Sequence, residues 1–504
     1  MVKQKKIRCN CFKNWKVLVK VSIPPNILSI DKGAFYECSQ LTHVTIPSSL
    51  KAIEEEAFFK CSSLVEVTLH ENITKIGKSA FKYCKSLKQI NIPSSVTVIG
   101  AEAFYECSSL TEVILPFSLN KIESGAFHFC SSLMNVYIPS SVTSIGDEAF
   151  MNCSNLIELT IPSSITKIGN SAFSGCSSLT EMTIPSSVTS IEKNVLDDCS
   201  SLETVTILSQ ATIIDDRAFS HCSSLKWITV PSTVTSIGWG SFINCKSLIE
   251  IEIPSSVTKI EQSAFEDCNS IKEITIPSSV ISIGKKSFKG CSSLSQVIIS
   301  SSLITSIEES TFEGCSSLSE IIIPSSVTTI NNSAFEGCSS LAQITIPSSV
   351  ESIKANCFNN CSSITHISIP PLLKRIDDGT FYKCSSLKTV SIPSSLESIG
   401  EAAFYLCSSL SQIDIPESVT KIGDCAFYGC SSLSEIAISH LNKSIEESVF
   451  NGCSLLSKIT IPSSVTKIGA NAFSRCTRLE HIILPSSIDI KDIGLTPYVK
   501  VEKI

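Results

Sequence analysis

The stretch 161–183 reads IPSSITKIGNSAFSGCSSLTEMT, and residues 184–192 begin the same phrase again as IPSSVTSIE. Cysteine is the ruler of this repetition. From Cys38 to Cys291 it recurs every 23 residues, takes one step of 24 to Cys315, and then keeps to 23 as far as Cys476. That ladder uses 20 of the 24 cysteines, and an earlier copy carries Trp15 in the cysteine slot, in register with Phe12 and Pro24. Some 21 tandem copies therefore span 12–488, with an N-terminal cap at 1–11 and a C-terminal cap at 489–504. Length alone would suggest several globular domains, but an unbroken repeat predicts one elongated domain.

Each slot has a physical reason. Phe stands three residues before the cysteine in all copies but one, where Leu196 replaces it, and in most copies a small residue, usually Ala, precedes it. Leu or Ile follows three residues after. Small residue, Phe, Cys and Leu thus fall at i, i+1, i+4 and i+7, one face of a short helical turn. The next apolar residues alternate, as at Met182 and Ile184, which is the period of a half-buried strand. Pro then ends the pairing, because it has no N–H to give. No single copy can bury its own apolar face, whereas stacked copies close each other's core. The fold expected is a repeat solenoid, a right-handed coil with one parallel β-sheet and short helical turns or loops opposite.

The segment LTEMTIPSS resembles the leucine-rich repeat core. Leu179, Met182 and Ile184 stand in its apolar slots and Ser187 in its asparagine slot, a slot that holds Asn26, Asn72 and Thr233 in other copies. All three residue types suit a buried polar ladder bonded to the turn backbone. With IPSSVTSIG and AFSGCSSL the whole unit is similar to the BspA-like surface leucine-rich-repeat proteins of bacteria and mucosal protists. The resemblance implies a non-enzymatic protein-interaction scaffold, an adhesin-like surface antigen meeting host or matrix proteins through its sheet face. It also implies a cell-surface or secreted location. The start MVKQKKIRCN is basic without an apolar core, unlike a signal peptide, and no stretch reaches the ~18 apolar residues of a membrane span. An intracellular leucine-rich-repeat scaffold or regulatory subunit, in the cytoplasm, is therefore the alternative.

Composition narrows partners mainly by exclusion. Lys+Arg is 40 against Asp+Glu 47, a net charge of −7 without a long basic run, so nucleic acid is not an expected partner. Equivalent cysteines on neighbouring coils would lie within disulfide reach, yet all 20 are equivalent and nothing alternates around them. Reduced core thiols are the favoured reading over pairs. Outside the ladder, Cys11 and Cys357 occupy the small-residue slot and read as core, while Cys9 and Cys11 form a lone C-x-C, too few ligands for a closed metal site. The seven histidines show no metal or catalytic spacing. Cys222 beside His221 reads as a ladder residue rather than a nucleophile, which needs exposure. No catalytic residue, cofactor or metal site is assigned. The sequons at Asn72, Asn152, Asn331, Asn360 and Asn442 argue only weakly for secretion, since two arise from the repeat itself.

What remains is surface. If positions cysteine+6 and +8 point inward, +5 and +7 point outward along the sheet. Those columns are mildly acidic and rich in threonine, so their few large residues stand out. Trp227 is expected between Thr204 and Glu250 on the neighbouring coils, with Thr229 beside it. Tyr137 is the next aromatic, four coils away, and Glu158, Glu181, Glu250 and Glu273 frame Trp227. Together these residues make a candidate partner-binding face for a protein carrying basic and apolar groups. The plainer alternative is a soluble β surface on which Trp227 lies flat over its threonines.

Overall fold

The computed structural model describes residues 6–504; the first five residues of the expected N-terminal cap lie outside the described residues. Contacts divide the chain into two units, 1–256 and 257–504. The 23-residue repeat runs through each.

In the first unit, the alternating segment of each copy is a short strand. Seven of them, from Lys20–Ser22 to Glu158–Thr160, form one parallel sheet in repeat order. The register is one repeat per step, so Glu112 pairs with Asn135, Val113 with Val136 and Ile114 with Tyr137. From His43–Thr45 to Glu158–Thr160 each of these strands buries its middle side chain and exposes the two outer ones, whereas Val21 of the first is only half-buried. Besides this strand, coils carry a second one of two residues, such as Lys75–Ile76 and Val98–Ile99, paired in a parallel ladder of its own. It arises where Ser-Ser turns the chain and the x-Ile pair runs extended before the next turn.

The segment opposite the sheet holds no helix among the described residues, which corrects the helical half of the expectation. It is a run of turns. Two residues per coil are left-handed: Glu102 and Glu106 have φ 57° and 56°, and Glu148 and Asn152 repeat them at 56° and 58°. A left-handed residue every fourth position breaks an α-helix. The freed amides turn outward to the next coil instead. Phe104 N–H donates to the Ala126 carbonyl at 2.9 Å, and Glu106 N–H to that of His128 at 2.7 Å. Gly175 fills the second left-handed slot of its coil at φ 73°, where Asn152 and Glu106 stand in others.

Inside, identical residues meet as ladders. The rings from Phe12 to Phe173 stack at 5.2–5.7 Å between centroids, nearly parallel. Leu196 interrupts that stack, and Phe219 with Phe242 resumes it. Each thiol reaches into the coil before it: Cys107 Sγ donates to the Phe81 carbonyl and Cys130 Sγ to that of Phe104, both at 3.2 Å. Cysteine is thus a small core residue whose thiol gives a second hydrogen bond to a carbonyl that already accepts a turn N–H, as the Phe81 carbonyl does from Cys84 and that of Phe104 from Cys107. The polar slot works likewise. Ser141 Oγ donates to the Leu119 carbonyl at 2.7 Å, and Thr233 and Asn72 serve that slot with bonds to Ala211 and Ser48.

At the first coil, Trp15 meets Phe12 edge-on but is half exposed. Cys11 is exposed as well, not core as its slot suggested, because no described coil lies against it on that side; Cys357, with coils on both sides, is fully buried.

The second unit repeats this plan. Its ten rings from Phe265 to Phe473 stack without interruption at 5.4–5.8 Å. The single 24-residue step is absorbed at the turn after Ile299. Ser301 stays buried with Oγ on the Val280 carbonyl, and Leu303 is pushed out to solvent. At the end of the unit, Lys500–Lys503 pairs in parallel with His481–Leu484.

Candidate functional site

The outward columns of the first unit follow from strand geometry, since alternate side chains leave opposite faces. Trp227 is 52% exposed, pairs in register with Thr204 and bridges to Glu250. Thr229 is exposed beside it. Tyr137, Glu158 and Glu181 lie on the same outward columns, all exposed. Glu273 is also outward, on strand Glu273–Ile276, but it belongs to the second unit and pairs with Gln296 there. Seven of the eight candidates therefore share one unit.

The structure adds residues that sequence reasoning passed over. Ile114, Phe117, Met134 and Ile157 are exposed around Tyr137, and the Phe117 ring lies 6.2 Å from that of Tyr137. The signal was present: LPFSLN at 115–120 departs from IPSSV, and Ile114 stands where most copies have a polar residue.

The first outward column also has an order of its own. Glu66 pairs with Gln89, Gln89 with Glu112, Glu112 with Asn135, and Asn135 with Glu158. An amide thus separates each acid from the next, which removes the like-charge pairs that destabilise neighbouring strands. The second unit does the same with Glu273, Gln296, Glu320 and Gln343.

Charges on the turn side behave differently. Lys82 meets Glu102 at 2.9 Å, Lys85 meets Glu106 at 2.6 Å and Lys60 meets Glu37 at 3.3 Å, each pair tying one coil to the next. Partial burial alone would raise the Glu102 carboxyl, but the Lys82 hydrogen bond and charge, with Ser79, hold it below the usual range. Glu66, Glu112, Glu158, Glu181 and Glu250 make no ion pair among the described residues.

The chemistry-bearing clusters resolve into structural contacts. Asp197, Asp198 and His221 come together, but Asp197 is engaged by Arg217 at 3.4 Å and by His221 at 3.4 Å, so a cation already occupies its carboxylate. Cys222 is fully buried with Sγ on the Leu196 carbonyl, and burial pushes its thiol well up. The same burial takes Cys176 to about 12.

A stacked solenoid with a buried leucine ladder leading into each strand, buried polar ladders and a patterned sheet face defines a leucine-rich-repeat protein. The BspA type leucine-rich repeat region matches residues 3–110, 97–226, 212–325, 305–423 and 374–495, and the chain belongs to that family. Among solved structures, it is similar to a leucine-rich repeat protein from Bacteroides ovatus, with 24% identity over 96% of this chain and 92% of that one, at a TM-score of 0.37. A leucine rich cell surface protein from Faecalibacterium prausnitzii is 30% identical over 68% of this chain and 86% of that one, at 0.36. The pneumococcal vaccine antigen PcpA is 21% identical over 64% and 83%, at 0.41. No curated protein matches the chain. Among the described residues, no helix is long and apolar enough to cross a membrane.

Proposed function

We propose that the chain is a non-enzymatic scaffold that binds a protein partner, from a host or its matrix, on the strand face of its first unit, in the manner of an adhesin. The observation that carries this is the unspent chemistry of that face. In its outward columns Glu66, Glu112, Glu158, Glu181 and Glu250 make no ion pair among the described residues and Trp227 is half exposed, while turn-side acids such as Glu102 and Glu106 pair with lysines. Exposed Trp and Tyr are favoured anchors because they bury large area with few rotors. A surface location follows from the repeat's resemblance to the BspA-like surface proteins.

The test begins with capture of partners by the folded chain from host and self extracts. The captured protein is then titrated against purified wild type, Trp227→Ala and Glu181→Lys. Trp227→Ala is expected to weaken binding by more than about 2 kcal/mol with the melting temperature unchanged. Unaltered affinity would move the binding site off this face.

One observation favours the intracellular scaffold as a second reading. Buried ladder thiols such as Cys107 and Cys130 donate to backbone carbonyls, which suits a reducing compartment. Proteolysis of intact cells separates the two, because a surface protein is cleaved and an internal one is spared.

A further inference from the structure

We propose that the seven-stranded sheet of the first unit binds an extended, polyproline-type polypeptide segment that carries a basic residue at every third position and lies along the stack. This rests on the strand face being the binding face, but on the stretch from Glu66 to Glu158 and its rims rather than on Trp227.

Spacing comes first. Glu66, Glu112 and Glu158 sit on alternate strands of one sheet in strict register, with Gln89 and Asn135 between them. Strands about 4.8 Å apart put those acids about 9.6 Å apart. A polyproline helix repeats every three residues at ~3.1 Å each, about 9.3 Å, so every third side chain meets an acid. An extended β-strand repeats on one face at about 6.8 Å and falls out of step. An α-helix matches only at every seventh residue, about 10.5 Å, and gains nearly 1 Å of error per acid.

The rims of the acid column supply the second argument. Around the middle strands it is lined by apolar side chains, with Ile114 and Tyr137 in register on one side and Met134 and Ile157 on the other. Phe117 extends the first rim, 69% exposed. Between Gln89, Asn91, Glu112 and Ile114 lies a shallow depression of about 290 Å³. Rigid prolines between the bases would pack on these rims, and a preformed polyproline helix loses little entropy on docking to aromatic surface.

Charge selects the occupant. From Glu66 to Thr160 the two outward columns hold no Lys or Arg; Lys88 lies in the flanking column. A second copy of this chain, with a net charge of −7, would set acids against acids, and an anionic membrane or nucleic acid would be repelled likewise.

The probes are labelled peptides of about a dozen residues that read this spacing: a Lys-Pro-Pro repeat, a Lys-Pro-Pro-Pro repeat with as many lysines, and a Glu-Pro-Pro repeat. Binding to the full chain is followed by fluorescence anisotropy at low salt. The Lys-Pro-Pro peptide is expected to bind at least about tenfold more tightly than the four-residue repeat, and the Glu peptide not at all. Glu112→Gln with Glu158→Gln, and separately Tyr137→Ala, should each weaken it about tenfold. Glu37→Gln with Glu106→Gln, the same charge change on the turn side, should leave it unchanged. Circular dichroism and melting curves check that each variant folds. Equal binding of the two lysine repeats, or equal loss from turn-side and strand-face variants, overturns the proposal. If Trp227→Ala still abolishes binding of a captured partner while no lysine peptide binds, the inference fails and the proposed function stands.

Discussion

On the turn side of the first unit, Lys82 and Lys85 each reach the next coil and find an acid, at 2.9 Å and 2.6 Å. On the strand face of those same coils, Glu112 has only the amides of Gln89 and Asn135 for register neighbours. The two sides use the same residue types to opposite ends. The turn side spends charge on joining coils, where the backbone is held by left-handed turns and amides that cross to the next coil. The strand face is already joined by its ladder, so its side chains are spare. From Glu66 to Glu158 the arrangement avoids like-charge contact without neutralising the charge, which leaves an ordered acidic surface for something else.

The largest effect belongs to the interior that both sides share. Phe104 is fully buried in a stack of rings, so Phe104→Ala should cost about 3–5 kcal/mol through the cavity left between two coils. Urea denaturation measures it, and a midpoint equal to wild type would place the ring outside the core. Next comes the polar ladder. Ser141→Ala removes the bond to the Leu119 carbonyl and should cost about 1 kcal/mol; a neutral result would mean that water replaces the hydroxyl.

A smaller effect is expected at Glu102. The turn-side pair with Lys82 is partly solvated, so Glu102→Gln should cost under about 1 kcal/mol at neutral pH. The sign with pH is fixed. Lys82 and Ser79 lower the folded carboxyl against the rise that burial would give. Its contribution is therefore present above the unfolded carboxylate pKa, about 4.3, and is lost as pH falls through the lower folded value. The stability difference between wild type and Glu102→Gln should shrink as the solution is acidified. A gap that widened in acid would show that Lys82 does not hold this carboxylate.

Much of this was legible in the sequence, for a reason particular to repeats. One copy with Phe, Cys and Leu at spacings of three is ambiguous, but many copies in register turn a weak pattern into a core. The outward columns were legible by the same count from the cysteine. The turn side was not, because small residue, Phe, Cys and Leu at i, i+1, i+4 and i+7 suit one helical face and also two successive turns ended by left-handed residues. Glu102 and Glu106 give no composition signal for that conformation; Gly and Asn in the same two slots of other coils, such as Gly125 and Asn194 in the first and Asn152 and Gly175 in the second, hint at it. The two-residue second strand is too short for periodicity to mark. Cys11 was misread because its slot is core only when a coil covers it. Ile114 and Phe117 gain meaning only when the register sets Ile114 beside Tyr137 and the Phe117 ring packs near that of Tyr137. The alternation of Glu66, Gln89, Glu112, Asn135 and Glu158 was written in the chain, but its meaning needed the strands side by side.

The account stands on the strand-face charges being spare and the turn-side charges being structural. Two triple variants test it directly in one urea series. One is Glu66→Gln with Glu112→Gln and Glu158→Gln; the other is Glu37→Gln with Glu102→Gln and Glu106→Gln. The strand-face triple should unfold at the wild-type midpoint, and the turn-side triple should lose about 1–2 kcal/mol in total. A strand-face triple that loses as much as the turn-side one would contradict the account, since those acids would then be holding the stack together.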